Sequence, residues 1–144
     1  MKVIIRECKI QDYKFIFLLN KNEMGYEYPI DDTKKNLKQL LKDSNQKIYV
    51  AIVLDTVVGY IHANNYDLLY APHLKNIKGI AVSHEFRKNG IGRMLLHEVE
   101  KWAQNTGAYG VRLVSGAARS GAHAFYMSCG YNESKEQKNF KKIF

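Results

Sequence analysis

A mixed α/β fold, one twisted sheet with helices packed on both faces, is what this sequence predicts. Three observations carry the prediction. β-rich runs and amphipathic helical stretches alternate along the chain; a strand, a glycine-bearing turn and a long helix follow one another from Ile77 to Gly107; and no repeat, low-complexity tract or linker interrupts the order. With 144 residues, 46% hydrophobic and 12% aromatic composition, the chain is expected to form a single domain over 1–144.

Val3, Ile4 and Ile5 suggest the first strand. Ile10 to Asn20 reads as a helix starting near Asp12, with Phe15, Ile16, Leu18 and Leu19 on its apolar side. Lys21 to Asp32 breaks the pattern with Gly25 and Pro29, and Thr33 to Lys42 returns to a helix carrying Leu37, Leu40 and Leu41. Ile48 to Leu54 and Val57 to Asn64, separated by Asp55-Thr56, predict an antiparallel hairpin in which Gly59 relieves crowding. Asn65 to Lys75, which contains Pro72, is expected to be a loop leading into a central strand with Ile77, Ile80, Ala81 and Val82. From Ile91 the apolar residues Leu95, Leu96, Val99, Trp102 and Ala103 keep helical spacing, and Gly107 ends the helix as a cap. Val111 to Ser115 should be a strand, Gly116 to Ser120 a turn and Gly121 to Cys129 a helix. From Tyr131 a final pair of strands is expected, ending in Phe140, Ile143 and Phe144.

The turn Arg87-Lys88-Asn89-Gly90-Ile91-Gly92 supplies the first N–H groups of a helix, which have no partner inside it. Gly90 and Gly92 lack β-carbons, so those groups can approach a phosphate, with Arg87, Lys88 and Arg93 adding positive charge. An isolated R-x-x-G-x-G is more often a tight turn with solvated basic residues, so context decides. A P-loop would need Lys and Ser or Thr after the last glycine, where Arg93 and Met94 stand, and a dinucleotide fingerprint would need a third glycine in place of Leu95.

Strand, R-x-x-G-x-G and helix in that order resemble the most recognisable segment of the GNAT superfamily of acetyl-CoA-dependent N-acetyltransferases. Downstream, Arg119, Ala122, His123, Phe125, Tyr126, Gly130 and Tyr131 spell R-x-x-A-H-x-F-Y-x-x-x-G-Y, similar to a later GNAT motif of a small bacterial-type subgroup. The resemblance extends over nearly the whole chain, most specifically from Ile77 to Tyr131 and only loosely before Lys47. It implies a mostly antiparallel sheet of about six or seven strands and acetyl-CoA as cosubstrate. It also implies a pantetheine arm beside the strand ending at Val82, where main-chain groups of Ile80 and Val82 could pair with its amides. Arg87, Lys88, Asn89, Gly90, Ile91, Gly92 and Arg93 would surround the pyrophosphate. Arg119, standing where an Asn is often found seven residues before the tyrosine, adds charge on the cofactor side.

Tyr126 occupies the position at which the family keeps a tyrosine near the coenzyme sulfur, and a phenol can hand a proton to a departing thiolate. Without the neighbouring motif, the same residue would read as helix packing. For the acceptor, the resemblance points to the loop between the first two helices and hence to Tyr26, Glu27 and Tyr28; a surface loop with tyrosines folded onto the core accounts for them equally well. Glu23, Glu27, Asp31 and Asp32 would suit a cationic amine. No general base is assigned: Asn76 and Lys78 occupy the positions where relatives carry a glutamate, a water relay could serve, and His62 and His123 read as structural histidines.

The five histidines lack metal-ligand spacing, so no metal is expected. Cys129 is set aside as a nucleophile because His123 is poorly phased with it on one helix. A net charge of +8 and a pI near 9.4 favour anionic partners, and coenzyme A is one. Nucleic acid is not expected, since Lys135, Lys138, Lys141 and Lys142 sit outside any recognised binding module and read as a solvated strand face. Cys8 and Cys129 form no C-x-x-C pair, and no segment approaches membrane-spanning length, so a reducing, cytoplasmic setting is expected. The leading expectation is acetyl transfer to a primary amine of a small molecule. Protein N-terminal or lysine acetylation, and a non-catalytic acyl-CoA or nucleic-acid binding module, are the alternatives. The oligomeric state is open, a homodimer included.

Overall fold

The computed structural model describes residues 1–117 and 119–144; Ala118, in the expected Gly116–Ser120 turn, lies outside the described residues. These residues form two compact units, Met1–Leu113 and Val114–Phe144.

In the first unit, β1 (Ile4–Glu7) leads through a short 3-10 turn to α1 (Tyr13–Met24) and α2 (Ile30–Leu41). The turn is pinned by Asp12, whose carboxylate accepts two hydrogen bonds from Arg6, at 2.8 and 2.9 Å, and one from the Lys9 N–H at 2.8 Å. α1 runs four residues beyond the expected Asn20 and stops at Gly25, which is left-handed at φ 72°. This leaves only Gly25 to Pro29 between the two helices, with Thr33 Oγ1 donating to the Pro29 carbonyl at 3.0 Å.

β2 (Gln46–Val53), β3 (Thr56–Leu68), β4 (Ala71–Val82) and β5 (Gly110–Leu113) complete a sheet in the order β1-β2-β3-β4-β5. All neighbours are antiparallel except β4 and β5, which are parallel. The predicted six or seven strands are therefore five among the described residues. The missing pair is the one expected after Tyr131: residues 131–144 form neither helix nor strand, and Phe140, Ile143 and Phe144 are exposed. Glu133, Lys135, Glu136, Lys138, Lys141 and Lys142 leave that segment without an alternating apolar face to bury.

The expected Asn65–Lys75 loop is also absent, because β3 and β4 continue into it as a long hairpin. Pro72 is tolerated there because it sits near the strand end, at a break in register between Tyr66 and Leu68. At the other hairpin the turn residues are Leu54 and Asp55, one position earlier than expected, both with positive φ.

Register places the two layers. Ile48, Val50, Val57, Tyr60 and Ala81 pack with Ile16 and Leu19 of α1 and Leu37 of α2 on one face. On the other lies α3 (Ile91–Asn105), which buries Ile91, Leu95, Leu96, Val99 and Ala103. Gly59 faces it: a β-carbon there would come within 3.0 Å of the Ala81 carbonyl and 3.4 Å of Leu95. The second unit contains α4 (Ser120–Ser128), followed by Gly130 in the left-handed region.

Candidate active site

The site begins on β4. The Ser83 N–H donates to the Val58 carbonyl at 2.8 Å, which fixes the phase of the strand end. Main-chain groups of Gly79 and Ala81 therefore point to β3, and those of Ile80 and Val82 point to the opposite edge. On that edge β5 pairs only with Leu74 to Ile77, so it has ended before Ile80. Within the Met1–Leu113 unit, β4 thus leaves an open, hydrogen-bonding edge beside the two residues predicted from the sequence. The Val82 carbonyl already accepts a long, 3.4 Å bond from Arg87 Nε.

Directly after this edge comes a short 3-10 turn, His84–Phe86, and then Lys88 and Gly90, both left-handed at φ 65° and 77°. Asn89 Nδ2 donates to the carbonyls of Phe86 and Arg87, fixing the loop from inside. Gly90 caps α3 with no side-chain hydrogen bond, and the first helical bond runs from the Met94 N–H to the Gly90 carbonyl at 3.0 Å. The N–H groups of Ile91 and Gly92 consequently lie ahead of the helical ladder with the positive end of the helix dipole behind them. A side chain on Gly90 would meet nothing within 4 Å, so the approach is open. These groups fit the pyrophosphate and amide-bearing arm of a coenzyme A, which needs anion-binding N–H groups next to an extended strand edge.

Arg87 stands apart from its expected place among the phosphate-facing charges. Its guanidinium donates to Glu23 Oε1 at 2.7 Å, and His84 Nδ1 lies 2.9 Å from Oε2 of the same carboxylate. Burial alone would raise the Glu23 pKa, but the His84 hydrogen bonds and the Arg87 charge outweigh it and hold it below the ordinary value. Glu23, expected to suit an acceptor amine, is thus committed to the loop.

Of the other expected acceptor residues, Tyr26, Glu27 and Tyr28 lie together in the short connection between α1 and α2, all exposed. The Tyr28 hydroxyl accepts from Asn36 Nδ2 at 3.3 Å. Asp31 and Asp32 occupy the first turn of α2, where they complement the helix dipole. Behind them Tyr60, whose hydroxyl donates to Asn20 Oδ1, has its pKa pushed up to about 12, first by burial and then by Tyr26.

In the second unit, Tyr126 is half-buried. Its ring lies 5.5 Å from that of Phe125 and 6.4 Å from that of Tyr131, and its carbonyl accepts from the Tyr131 N–H at 3.1 Å. Burial raises its pKa, the Arg119 charge opposes that, and Cys129 adds to it. The phenol is therefore protonated at neutral pH. His123 Nε2 lies 2.8 Å from the Gly116 carbonyl, a structural contact as expected, and Arg119 accepts at its carbonyl from the His123 N–H.

Sequence reasoning missed a polar network across three strands. Asn76 Nδ2 donates to Asn64 Oδ1 at 3.1 Å, Arg112 Nη1 donates to Asn76 Oδ1 at 2.6 Å, and the Arg112 guanidinium lies 4.2 Å from the centre of the Tyr66 ring. Its only sequence signal is the period-two spacing of Asn64 and Tyr66, hidden by reading Asn65 to Lys75 as a loop. His62, two residues before Asn64, meets Gln46 at 2.7 Å; burial, aided by the Lys78 charge, pushes it down to about 4. Among the described residues, no three His, Cys, Asp or Glu side chains come together, and no helix is long and apolar enough to cross a membrane.

An open strand edge running into a left-handed glycine cap and an uncapped helix suits an acyl-coenzyme A, and the comparisons identify the class of protein. The model of the Acetyltransferase (GNAT) family matches residues 13–131, and the chain belongs to that family. It is an acetyl-CoA-dependent N-acetyltransferase. An aminoalkylphosphonate N-acetyltransferase of Salmonella typhimurium is 32% identical over 123 residues, covering 85% of this chain and 77% of that protein. An aminoglycoside N(6')-acetyltransferase type 1 of Stenotrophomonas maltophilia is 25% identical over 116 residues, covering 77% and 76%. Among solved structures, the aminoglycoside acetyltransferase AAC(6')-Iy, in complex with a bisubstrate analogue of CoA and monomethyl-acetylneamine, superposes with a TM-score of 0.88. All of both chains is covered at 17% identity, so that likeness concerns the fold.

Proposed function

We propose that this enzyme transfers the acetyl group of acetyl-CoA to a primary amine of a small molecule by direct attack, with 1–144 acting as one domain in a cytoplasmic setting. The observation that carries the reading is the continuity of two features: the outward main-chain groups of Ile80 and Val82 at the end of β4, and the N-terminus of α3, which opens shortly afterwards at Gly90 with no side-chain cap. Small-molecule amines are also the substrates named for both curated relatives.

Acetyl-CoA supplies a thioester, whose carbonyl carbon is open to an amine. Ile80 and Val82 would hold the amides of its arm, and the N–H groups of Ile91 and Gly92 its pyrophosphate, with Lys88, Asn89 and Arg93 around them; Arg119 remains a candidate cofactor contact from the family motif alone. Arg87 would act through the loop that it anchors on Glu23. The C–N bond forms as the C–S bond breaks, and Tyr126 donates its phenolic proton to the sulfur, a role favoured by a pKa that keeps the proton on. The proton lost by the amine nitrogen passes through water and restores the phenol. Tyr26, Glu27 and Tyr28 would border the amine.

The test is release of free thiol from acetyl-CoA in the presence of a panel of primary amines, with mass-spectrometric identification of the N-acetyl product. Product from small amines and none from peptides is the expected result. Acetylation of peptide N-termini or lysines alone would replace this reading with protein acetylation.

A further inference from the structure

Arg112 is half-buried on a sheet face, and among the described residues no carboxylate pairs with it. That is unlike Arg6, bound to Asp12, and Arg87, bound to Glu23. Its nearest polar partner is the neutral amide of Asn76, so the positive charge is oriented without being neutralised. Asn64 holds Asn76 in turn, and the Tyr66 ring backs the guanidinium plane. The hydrogen bond uses Nη1, and no described side chain accepts from Nη2 or Nε. A planar guanidinium fixed through one nitrogen and one face presents its remaining edge as a two-pronged donor for a carboxylate, phosphate or phosphonate.

The position suits an acceptor. Arg112 is level with Asn76 in the β4–β5 register, four residues below Ile80 along β4. At about 3.3 Å per residue that is roughly 13 Å, a span that the Arg side chain and a short aminoalkyl chain can cover together. Asn64, Asn76 and Tyr66 share the face of the sheet on which Tyr60 packs against α1, because Asn64 and Tyr66 follow Tyr60 at even spacing and Asn76 pairs with Asn64. An amine held near the open edge and a terminal anion held by Arg112 would then be two ends of one molecule.

We propose that Arg112, positioned by Asn76 and Tyr66, binds an anionic group at the far end of the acceptor, so that the substrate class is short aminoalkyl phosphonates or amino carboxylates. This rests on the small-molecule reading above and narrows it. It agrees with the substrate named for the Salmonella typhimurium relative and sets this chain apart from a site built for polycationic aminoglycosides. Glu23, the shielded carboxylate nearest the acceptor loop in sequence, is already occupied by Arg87 and His84.

Steady-state kinetics on the full chain would compare 2-aminoethylphosphonate, β-alanine, ethanolamine and neamine, for the wild type, Arg112→Gln and Arg112→Lys. Circular dichroism and coenzyme A titration would establish that each variant is folded. The wild type should favour the two anionic amines. In Arg112→Gln the ratio of kcat/KM for the preferred anionic amine to that for ethanolamine should fall about 10- to 100-fold, and Arg112→Lys should recover part of it. Which of phosphonate and carboxylate is preferred names the anion. A wild type that prefers ethanolamine or neamine, or an unchanged ratio in folded Arg112→Gln, would overturn the assignment while leaving small-molecule acetylation standing. Failure to acetylate all four, by a protein that acetylates peptides, would overturn both.

Discussion

Glu23, in the last turn of α1, accepts a 2.7 Å hydrogen bond from Arg87, 64 residues later in the loop that opens α3. The pair ties the helix preceding the proposed acceptor loop to the turn that we propose holds the coenzyme. Glu23→Gln keeps the size of the side chain but removes the charge that attracts both Arg87 and His84. Coenzyme A affinity should fall about tenfold, and a similar loss is expected for Arg87→Ala. The double variant should be no weaker than the worse single one, because both lose the same contact. Additive losses in a calorimetric cycle would show that Arg87 contacts the coenzyme independently of Glu23.

Tyr126→Phe keeps the ring that packs between Phe125 and Tyr131 and deletes the hydroxyl. If that hydroxyl protonates the leaving sulfur, kcat should drop about 10²- to 10⁴-fold while the Kd for acetyl-CoA stays nearly constant. Wild-type turnover would make Tyr126 structural, and a loss of cofactor binding would make it a ligand contact.

His62 has a folded pKa of about 4, below its ordinary value near 6.5, so the native state refuses a proton that the unfolded chain accepts. Its effect is nil above about pH 7 and destabilising as pH falls through the window between those values. At pH 4.5 the loss should be about 2 kcal/mol relative to pH 7. Denaturant titrations at both pH values should show a smaller drop for His62→Gln. An equal drop in the variant would place the proton uptake elsewhere.

How far the residues alone led depended on whether the deciding contacts were local. α3 and its glycine cap were readable because the spacing of Leu95, Leu96, Val99 and Ala103 and the left-handed need at Gly90 are properties of a short stretch. The long β3–β4 hairpin was not, because Asn65 and Pro72 read as loop residues and only cross-strand partners such as Asn64 and Asn76 reveal the pairing. The expected strands after Tyr131 failed for the opposite reason: isolated aromatic residues among lysines and glutamates suggested strands with no face to bury. Glu23 and Arg112 owe their roles to partners 64 and 36 residues away, which no local pattern announces.

The proposed coenzyme site at the start of α3 is most directly tested by calorimetric titration of coenzyme A into the wild type, Gly90→Asp and Gly90→Asn. Both substitutions place a short side chain on a left-handed residue in open space, a conformation that Asp and Asn tolerate, so both proteins should fold. They differ by one negative charge at an anion site. Tight binding by the wild type, a modest loss in Gly90→Asn and a far larger loss in Gly90→Asp are expected. Equal affinity for the two folded variants would contradict the proposed site.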